Sequence, residues 1–103
     1  MNYVSLIGTM ESLPVSSEIR GGVSCSRFKV ITSSVVLDAS GKQKEIRQKH
    51  DVYAWGKWQQ VIRQFGQANL PVALEGRLVN RYIRWNVRPI KITEIEVNDL
   101  VII

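Results

Sequence analysis

Residues 77–91 concentrate positive charge and aromatic rings in one stretch of the chain. This stretch, RLVNRYIRWNVRPIK, contains no acid, and it holds the whole net charge of +5 because nine cations balance nine acids elsewhere. Its cations are Arg77, Arg81, Arg84, Arg88 and Lys91, and its rings are Tyr82 and Trp85. Cations attract phosphates and flat rings stack on bases, so the combination favours a nucleic acid as ligand over an ordinary solvated surface.

No arrangement suited to catalysis or metal binding accompanies this stretch. Cys25 and His50 are single residues of their types and lack the paired spacings of zinc or iron–sulfur sites. Cys25 is expected to be a half-buried strand residue. Three acids near the C-terminus, Glu94, Glu96 and Asp99, alternate along one strand-like run, which favours a solvated face over a two-metal nuclease site. The sequence therefore predicts no enzyme, no cofactor and no metal.

Length and hydropathy set the organisation of the chain. With 103 residues, 45% of them hydrophobic and 22% charged, the chain is expected to form a single domain over residues 1–103. No run approaches the roughly 18 to 20 apolar residues of a membrane span, and the N-terminus lacks the features of a signal peptide. We therefore expect a cytoplasmic protein with no membrane partner.

Runs rich in Val, Ile, Thr and aromatic residues predict five β-strands. They lie at residues 3–10, 25–36, 47–55, 72–85 and 89–103, and short turns are expected at residues 16–22, 38–44 and 69–71. In the last run the apolar positions change parity, from Ile90 and Ile92 to Ile95 and Val97. This change predicts either a bulge near residues 93–94 or a bend of the strand.

One segment follows helical periodicity instead. Trp58, Val61, Ile62 and Phe65 recur at the spacing of a short amphipathic helix, which Gly66 would end. Trp58 is therefore predicted to pack in the core and not in a binding site. Five strands with one helix between the third and the fourth predict an all-β protein with the OB-fold, a partly open barrel that binds oligonucleotides.

Five segments, in the right order, resemble the bacterial single-stranded DNA-binding proteins, and the similarity extends over essentially the whole chain. They are NYVSLIG (2–8), FKVITS (28–33), HDVYAWGK (50–57), LEGRL (74–78) and TEI (93–95). The resemblance implies an OB-fold that assembles as a homotetramer, in preference to a dimer, and wraps single-stranded DNA without sequence preference. It also implies a role in DNA replication, recombination or repair at the bacterial nucleoid.

Several site residues follow from this resemblance by position. Trp55 takes the place of an aromatic residue that stacks on a base in the family, just before Gly56 and Lys57. Lys49 and Lys57 are expected to bind the nucleic acid as well. Tyr82 and Trp85 fall near the fourth-strand aromatic of the family, ahead of a hairpin tip expected at Asn86. His50 occupies a place that lies near a subunit interface in the family.

The chain also departs from the family pattern. Lys49 stands where an aromatic residue usually precedes the histidine, and Val35 and Val36 replace another aromatic. Family members continue through a flexible linker to an acidic tip that recruits replication and repair proteins, whereas this sequence stops at Ile103. Any recruitment of replication or primosome proteins is therefore expected to use another surface.

Two binding modes and one other function remain open. If all five cations of residues 77–91 meet phosphates, the slope of log K against log salt would be about −3.5. The strand could instead run over a second set of cations, Arg27, Lys29, Arg47 and Lys49. The alternative function is an assembly factor like the related primosomal replication protein, which would use the same aromatic residues as anchors for protein partners.

Overall fold

Six strands and one helix make up most of the chain, and the computed structural model describes all 103 residues. In chain order they are β1 (Val4–Met10), β2 (Val15–Ile19), β3 (Val23–Leu37), β4 (Gln43–Trp55), α1 (Lys57–Phe65), β5 (Pro71–Trp85) and β6 (Arg88–Ile102). The five predicted strands correspond to β1, β3, β4, β5 and β6, and the helix lies between the third and fourth of them. The prediction of an all-β fold with one short helix is confirmed.

Five of the strands close into a barrel because β1 pairs on both of its sides. β1 pairs along its length with β5, and its last residues, Thr9 and Met10, also pair with Ile31 and Val30 of β3. β5 pairs with β6, β6 runs parallel to β4, and β4 pairs with β3, which completes the ring. The closed five-stranded barrel with one helix is the predicted OB-fold.

The turn expected at residues 16–22 is mostly a strand, which the sequence did not predict. β2 pairs antiparallel with β3 along its whole length, at the edge of the sheet. Its residues Ser16, Ser17 and Glu18 have weak strand propensity, but the backbone hydrogen bonds to β3 override it. The turn itself is confined to the residues around Gly21 and Gly22, whose φ angles of 85° and 74° are left-handed.

Of the two alternatives for residues 93–94, a bulge or a bend, the bulge is absent. These residues pair with β5 in unbroken register, and the register shifts instead between Glu75 and Gly76, opposite Asn98. Asn98 is thus the extra residue of a bulge near the C-terminal end of β6. Because of this extra residue, Val97 before the bulge and Leu100 after it can both face the barrel interior, although they are an odd number of residues apart.

Ile90 and Ile92 precede this bulge by several residues and lie on the opposite face from Ile95 and Val97. The unbroken alternation from residue 88 to residue 97 requires this arrangement. Ile95 and Val97 are buried in the core, whereas Ile92 is only half-buried and Ile90 is exposed. The parity change therefore reflects apolar residues on both faces of a continuous strand.

Helix α1 closes one end of the barrel. Ile62 is fully buried and belongs to a core cluster of eleven residues, and Trp58 packs half-buried against that cluster. The Trp58 indole donates a hydrogen bond to the carbonyl of Asn98 at 3.1 Å. Phe65 is 50% exposed, so its predicted place on the buried stripe is wrong. Gln59 is buried in the helix and donates to Ser24 Oγ at 2.8 Å.

Two hairpins project beyond the barrel. All residues from 33 to 49, which form the end of β3, the turn and the start of β4, are exposed. The β5–β6 hairpin turns at Asn86 and Val87, and Asn86 has a left-handed φ of 57°, as its expected place at the tip requires. The radius of gyration of 15.3 Å exceeds the roughly 13 Å expected for a compact chain of this length, since the hairpins extend outward.

Gly76→Ala is expected to lower the free energy of unfolding by about 1–3 kcal/mol. A Cβ at Gly76 would lie 2.0 Å from the backbone oxygen of Glu96, which cannot move without breaking the β5–β6 ladder. Gly41→Asn is the control, since nothing lies within 4 Å of its Cβ and Asn tolerates the φ of 82°. Urea titration at fixed protein concentration measures both, and equal midpoints would contradict the close approach.

Candidate nucleic-acid interface

Several of the predicted site residues lie on one surface, which we call the outer face. It is the side of β3, β4, β5 and β6 that points away from the core, and it carries Arg27, Tyr53, Trp55, Arg77, Arg81, Ile92, Glu94 and Glu96. Residues directly opposite in paired strands share a face. Arg27 lies opposite Tyr53, and Tyr53 lies opposite Glu96, so the register joins both projecting hairpins in one surface.

Glu94 lies at the centre of the outer face and is nearly buried, with 4% of its side chain exposed. Arg27 donates to it through Nε at 2.9 Å and through Nη2 at 3.4 Å. Arg81 donates to it from the other side through Nε at 2.5 Å. A carboxylate can be buried in this way because two guanidinium groups compensate the loss of water. The hydrogen bond to Glu94 raises the pKa of Arg27 above its ordinary value.

Glu96 forms a second cluster beside the first. Arg77 donates to it through Nε at 3.0 Å, and the Tyr53 hydroxyl donates to it at 2.8 Å. Burial alone would raise the pKa of Glu96, but the hydrogen bonds from Arg77 and Tyr53 outweigh it and hold that pKa below its ordinary value. Burial and the hydrogen bond to Glu96 together raise the pKa of Tyr53.

Because of these two clusters, positive charge on residues 77–91 is distributed differently from what the sequence predicts. Arg77 and Arg81 are paired with acids from β6, so they are not uncompensated cations. Glu94 and Glu96 form part of this network, and the expectation that they lie on a solvated face is wrong. The signal was present in the sequence, because a hairpin that turns at residues 86–87 brings residue 77 opposite residue 96.

The second set of cations is also paired with acids. Besides Arg27, which is bound to Glu94, three ion pairs hold this set: Lys29 with Asp51 at 3.8 Å, Arg47 with Glu45 at 3.6 Å and Lys49 with Glu11 at 2.8 Å. The hydrogen bond from Lys49 lowers the pKa of Glu11. The predicted site residue Lys49 therefore lies at the margin of the outer face with its charge offset.

Within residues 77–91, the cations without acid partners lie near the tip of the β5–β6 hairpin. Arg84, Arg88 and Lys91 take part in none of the six ion pairs of the chain. Lys57, at the start of α1, also has no acid partner, and its ammonium lies 4.8 Å from the centroid of the Trp58 ring. Within the β5–β6 hairpin, the available positive charge thus lies near the tip and not in the middle of the outer face.

The three predicted stacking residues are exposed, but they do not share one face. Trp55 ends β4 on the outer face and is 46% exposed. Trp85 lies opposite Arg88 and alternation places it on the outer side of the β5–β6 hairpin, whereas Tyr82, opposite Lys91, lies on the reverse side. Trp55 and Trp85 can therefore meet one ligand on the same side, and Tyr82 can bind only a strand that passes around the hairpin.

A groove of about 450 Å³ crosses the outer face between the two hairpins. Residues 11–15, between β1 and β2, form one wall, and Lys29, Arg81 and Ile92 contribute to its lining. Leu13 and Ile92 were not singled out as site residues, since isolated apolar residues carry no binding signal. The position of Ile92 on the outer face follows only from the pairing register.

The single histidine and the single cysteine lie outside the groove. His50 is half-buried on the core-side face of β4, and its Nε2 lies 2.9 Å from Thr32 Oγ1. Cys25, opposite Trp55, is fully buried and not half-buried as expected, and burial raises the pKa of its thiol. No group of three or more His, Cys, Asp or Glu side chains is arranged to hold a metal ion. No helix is long and apolar enough to span a membrane.

Comparison with known proteins identifies the family. The family model described as "Single-strand binding protein family" matches residues 1–103. The chain belongs to this family. Because single-strand binding proteins are DNA-binding proteins and not enzymes, membership agrees with the prediction that the chain is not an enzyme.

Relatives in the single-strand binding protein family are similar in sequence and in fold. Single-stranded DNA-binding protein 1 of Chlorobaculum tepidum is 35% identical over 81 residues, which cover 79% of this chain. The chain matches about half the length of that relative, 50%. A Plasmodium falciparum structure described as an SSB complex with ssDNA has a TM-score of 0.86 at 24% identity and covers 100% of this chain and 95% of that one.

A second solved structure has the same fold. It is a deletion mutant of the single-stranded DNA binding protein from Thermus aquaticus, with a TM-score of 0.84 at 20% identity, and the match covers 100% of this chain and 50% of that one. The overall fold is thus shared with these two proteins at low sequence identity.

Glu96→Gln is expected to lower the free energy of unfolding at neutral pH and to make that free energy less dependent on pH in the acid range. The pKa of Glu96 is lower in the folded state, so its contribution is complete above the ordinary value of 4.5 and is lost as the pH falls through the folded-state pKa. The difference between parent and variant should therefore shrink on acidification. Urea midpoints between pH 7 and pH 3 measure it, with Glu18→Gln, an exposed acid in no ion pair, as control. A constant difference would contradict the role of the Glu96 charge.

Proposed function

We propose that this chain binds single-stranded DNA without reading its sequence, in replication, recombination or repair. The observation that carries the proposal is the exposed Trp55 indole on the outer face, which also carries a groove lined in part by Arg81 and Ile92. Membership in the single-strand binding protein family supports it. So does the high structural similarity to the Plasmodium falciparum SSB whose structure is a complex with ssDNA.

Preference for single strands follows from stacking. The flat faces of unpaired bases can reach Trp55 and Trp85, and each stacked base contributes about 1–3 kcal/mol whatever its identity. In a duplex the same faces are covered by neighbouring base pairs. The outer face thus favours a strand whose bases point toward the protein, and this preference does not depend on total charge.

Charge plays a separate role in this mechanism. Arg84, Arg88 and Lys91 are free to attract phosphates at the hairpin tip, and binding of phosphates there releases counterions from the DNA. In the middle of the outer face Arg77 and Arg81 are offset by Glu96 and Glu94. The backbone is therefore expected to pass around the hairpin tip, with Arg88 on the outer side and Arg84 and Lys91 on the reverse side, while bases occupy the centre.

We further propose that the chain assembles into a homotetramer with His50 near a subunit interface. The outward side of β1 and its neighbours supports an assembly, because Ile7, Ala73 and Val101 lie side by side across three strands. Ile7 is 70% exposed and Val101 is 57% exposed, which leaves an apolar row open to a second copy.

Light scattering at micromolar concentration tests this assembly. We expect a mass close to four times 11.7 kDa, and Ile7→Lys should lower it because it places a charge in the apolar row. Leu13→Lys, which changes an exposed apolar residue outside this row, is the control. A parent mass near that of one chain would rule out the assembly.

Trp55→Ala is expected to weaken binding of a dT oligonucleotide by about 1–3 kcal/mol, because one stacking surface is lost. The fold should persist, since the ring is 46% exposed and lies outside the core cluster. Phe65→Ala removes an equally exposed ring at the end of α1 and should leave affinity unchanged. Titration followed by fluorescence polarisation of a labelled oligonucleotide measures both.

The outcome also separates the two candidate functions. A protein-interaction module would show no binding of the oligonucleotide by the parent, and Trp55→Ala would then have no effect on this assay. Equal losses in Trp55→Ala and Phe65→Ala would contradict a specific role of the outer face.

The salt dependence of binding is expected to be weaker than the sequence suggested. With Arg84, Arg88 and Lys91 as the free cations of the hairpin, the slope of log K against log salt should be about −2 per subunit and not about −3.5. Arg84→Gln should make it shallower by roughly 0.7, whereas Arg63→Gln on α1 should not change it. A slope near −3.5 would mean that the paired arginines also meet phosphates as full charges.

A further inference from the structure

Glu94 is bound by two arginines that come from different strands. Arg27 contacts both carboxylate oxygens, at 2.9 Å and 3.4 Å. Arg81 adds a third contact at 2.5 Å from a different strand, and the cluster of three side chains carries a net charge of +1. The two arginines differ in what their remaining nitrogens do.

The guanidinium group of Arg27 makes its hydrogen bonds to other groups of the protein. Its Nη1 donates to Ser17 Oγ and to the backbone oxygen of Glu18 at 3.0 Å, both in β2. Its guanidinium also lies 5.6 Å from the centroid of the Tyr53 ring. All three nitrogens of Arg27 thus have protein partners, and the side chain ties β2 to the outer face. Only 19% of it is exposed.

Arg81 is held only at the base of its guanidinium group. Nε donates to Glu94, whereas neither Nη1 nor Nη2 makes a hydrogen bond within the protein. The side chain is 40% exposed and lines the groove between the hairpins together with Ile92 and Leu13. Its two amino groups are therefore presented to the groove in a fixed orientation.

We propose that Glu94 is a positioning residue that orients Arg81, so that the free amino groups of Arg81 donate hydrogen bonds to oxygens of a single strand in the groove. This inference rests on the proposed function and adds a specific contact to it. An arginine already fixed at Nε loses less conformational freedom when it binds, and its planar group can donate two parallel hydrogen bonds. The acid thus favours binding of a polyanion.

The proposed role of Glu94 and the effect of its charge alone predict opposite changes in DNA affinity when Glu94 is removed. If Glu94 only neutralised the outer face, its removal would strengthen the attraction for phosphates and make the salt slope steeper. If Glu94 orients Arg81, its removal leaves Arg81 mobile and weakens binding although the net charge has risen by one. The two roles therefore predict opposite changes for the same substitution.

The first test measures the affinity of the parent and of Glu94→Gln for a dT oligonucleotide, with folding checked by circular dichroism. We expect Glu94→Gln to weaken binding at least about threefold, and we expect this loss to disappear when Arg81 is already Gln, because coupled residues do not act additively. Tighter binding by Glu94→Gln, or an equal loss in both backgrounds, would overturn the proposal.

The second test is Arg81→Lys, which decides the question even if Glu94→Gln fails to fold. Lysine keeps the charge but cannot hold Glu94 through Nε while it presents two amino groups, so affinity should fall at least about threefold with the salt slope retained. Arg63→Lys, an exposed arginine on α1, is the control and should bind as the parent does. Parent affinity in Arg81→Lys would overturn the positioning role.

Failure of the proposed function gives a different result. If the parent does not bind the oligonucleotide at all, both the proposed function and the contact from Arg81 are wrong. If the parent binds and Arg81→Lys binds equally well, only the positioning role is wrong.

Discussion

The register of the β5–β6 hairpin is the constraint on which the outer face depends. Its tip at residues 86–87 places Arg77 opposite Glu96 and Val79 opposite Glu94, so the acids of one strand meet the arginines of the other. Since side chains alternate along a strand, a slip by one residue would move Glu94 and Glu96 toward the core side. A two-residue turn with Asn86 in the left-handed conformation thus fixes the electrostatics of the surface.

Because of the same register, the cations that attract DNA from a distance and the groups that contact its bases lie in different parts of the molecule. Free cations at the hairpin tip act over the distance that salt permits, roughly 8–10 Å under ordinary ionic strength. The centre of the outer face is close to neutral and offers a ring and fixed hydrogen-bond donors, which act only on contact. A strand that is drawn in by the tip is therefore retained by stacking and geometry.

The sequence predicted the barrel well because alternation and helical spacing are local signals. It also predicted that Trp55 would be exposed and that Asn86 would lie at the tip. It did not predict β2, since Ser16 to Glu18 form a strand only through pairing with β3. Nor did it predict the neutralisation of Arg77 and Arg81, because their partners lie on another strand. The sequence predicted a bulge or a bend near residues 93–94, because apolar residues on both faces of β6 resemble a change of face, whereas the bulge lies at Asn98.

The pairing of β1 with β5 determines when the barrel can close during folding. Val4 to Thr9 find their main partners at residues 71–76, beyond β2, β3, β4 and the helix. The β3–β4 hairpin can form from neighbouring residues, but the barrel cannot close until β5 has been synthesised and has left the ribosome. The apolar residues of β1 remain without their partner strand during most of translation, and closure of the barrel is a late, non-local event in folding.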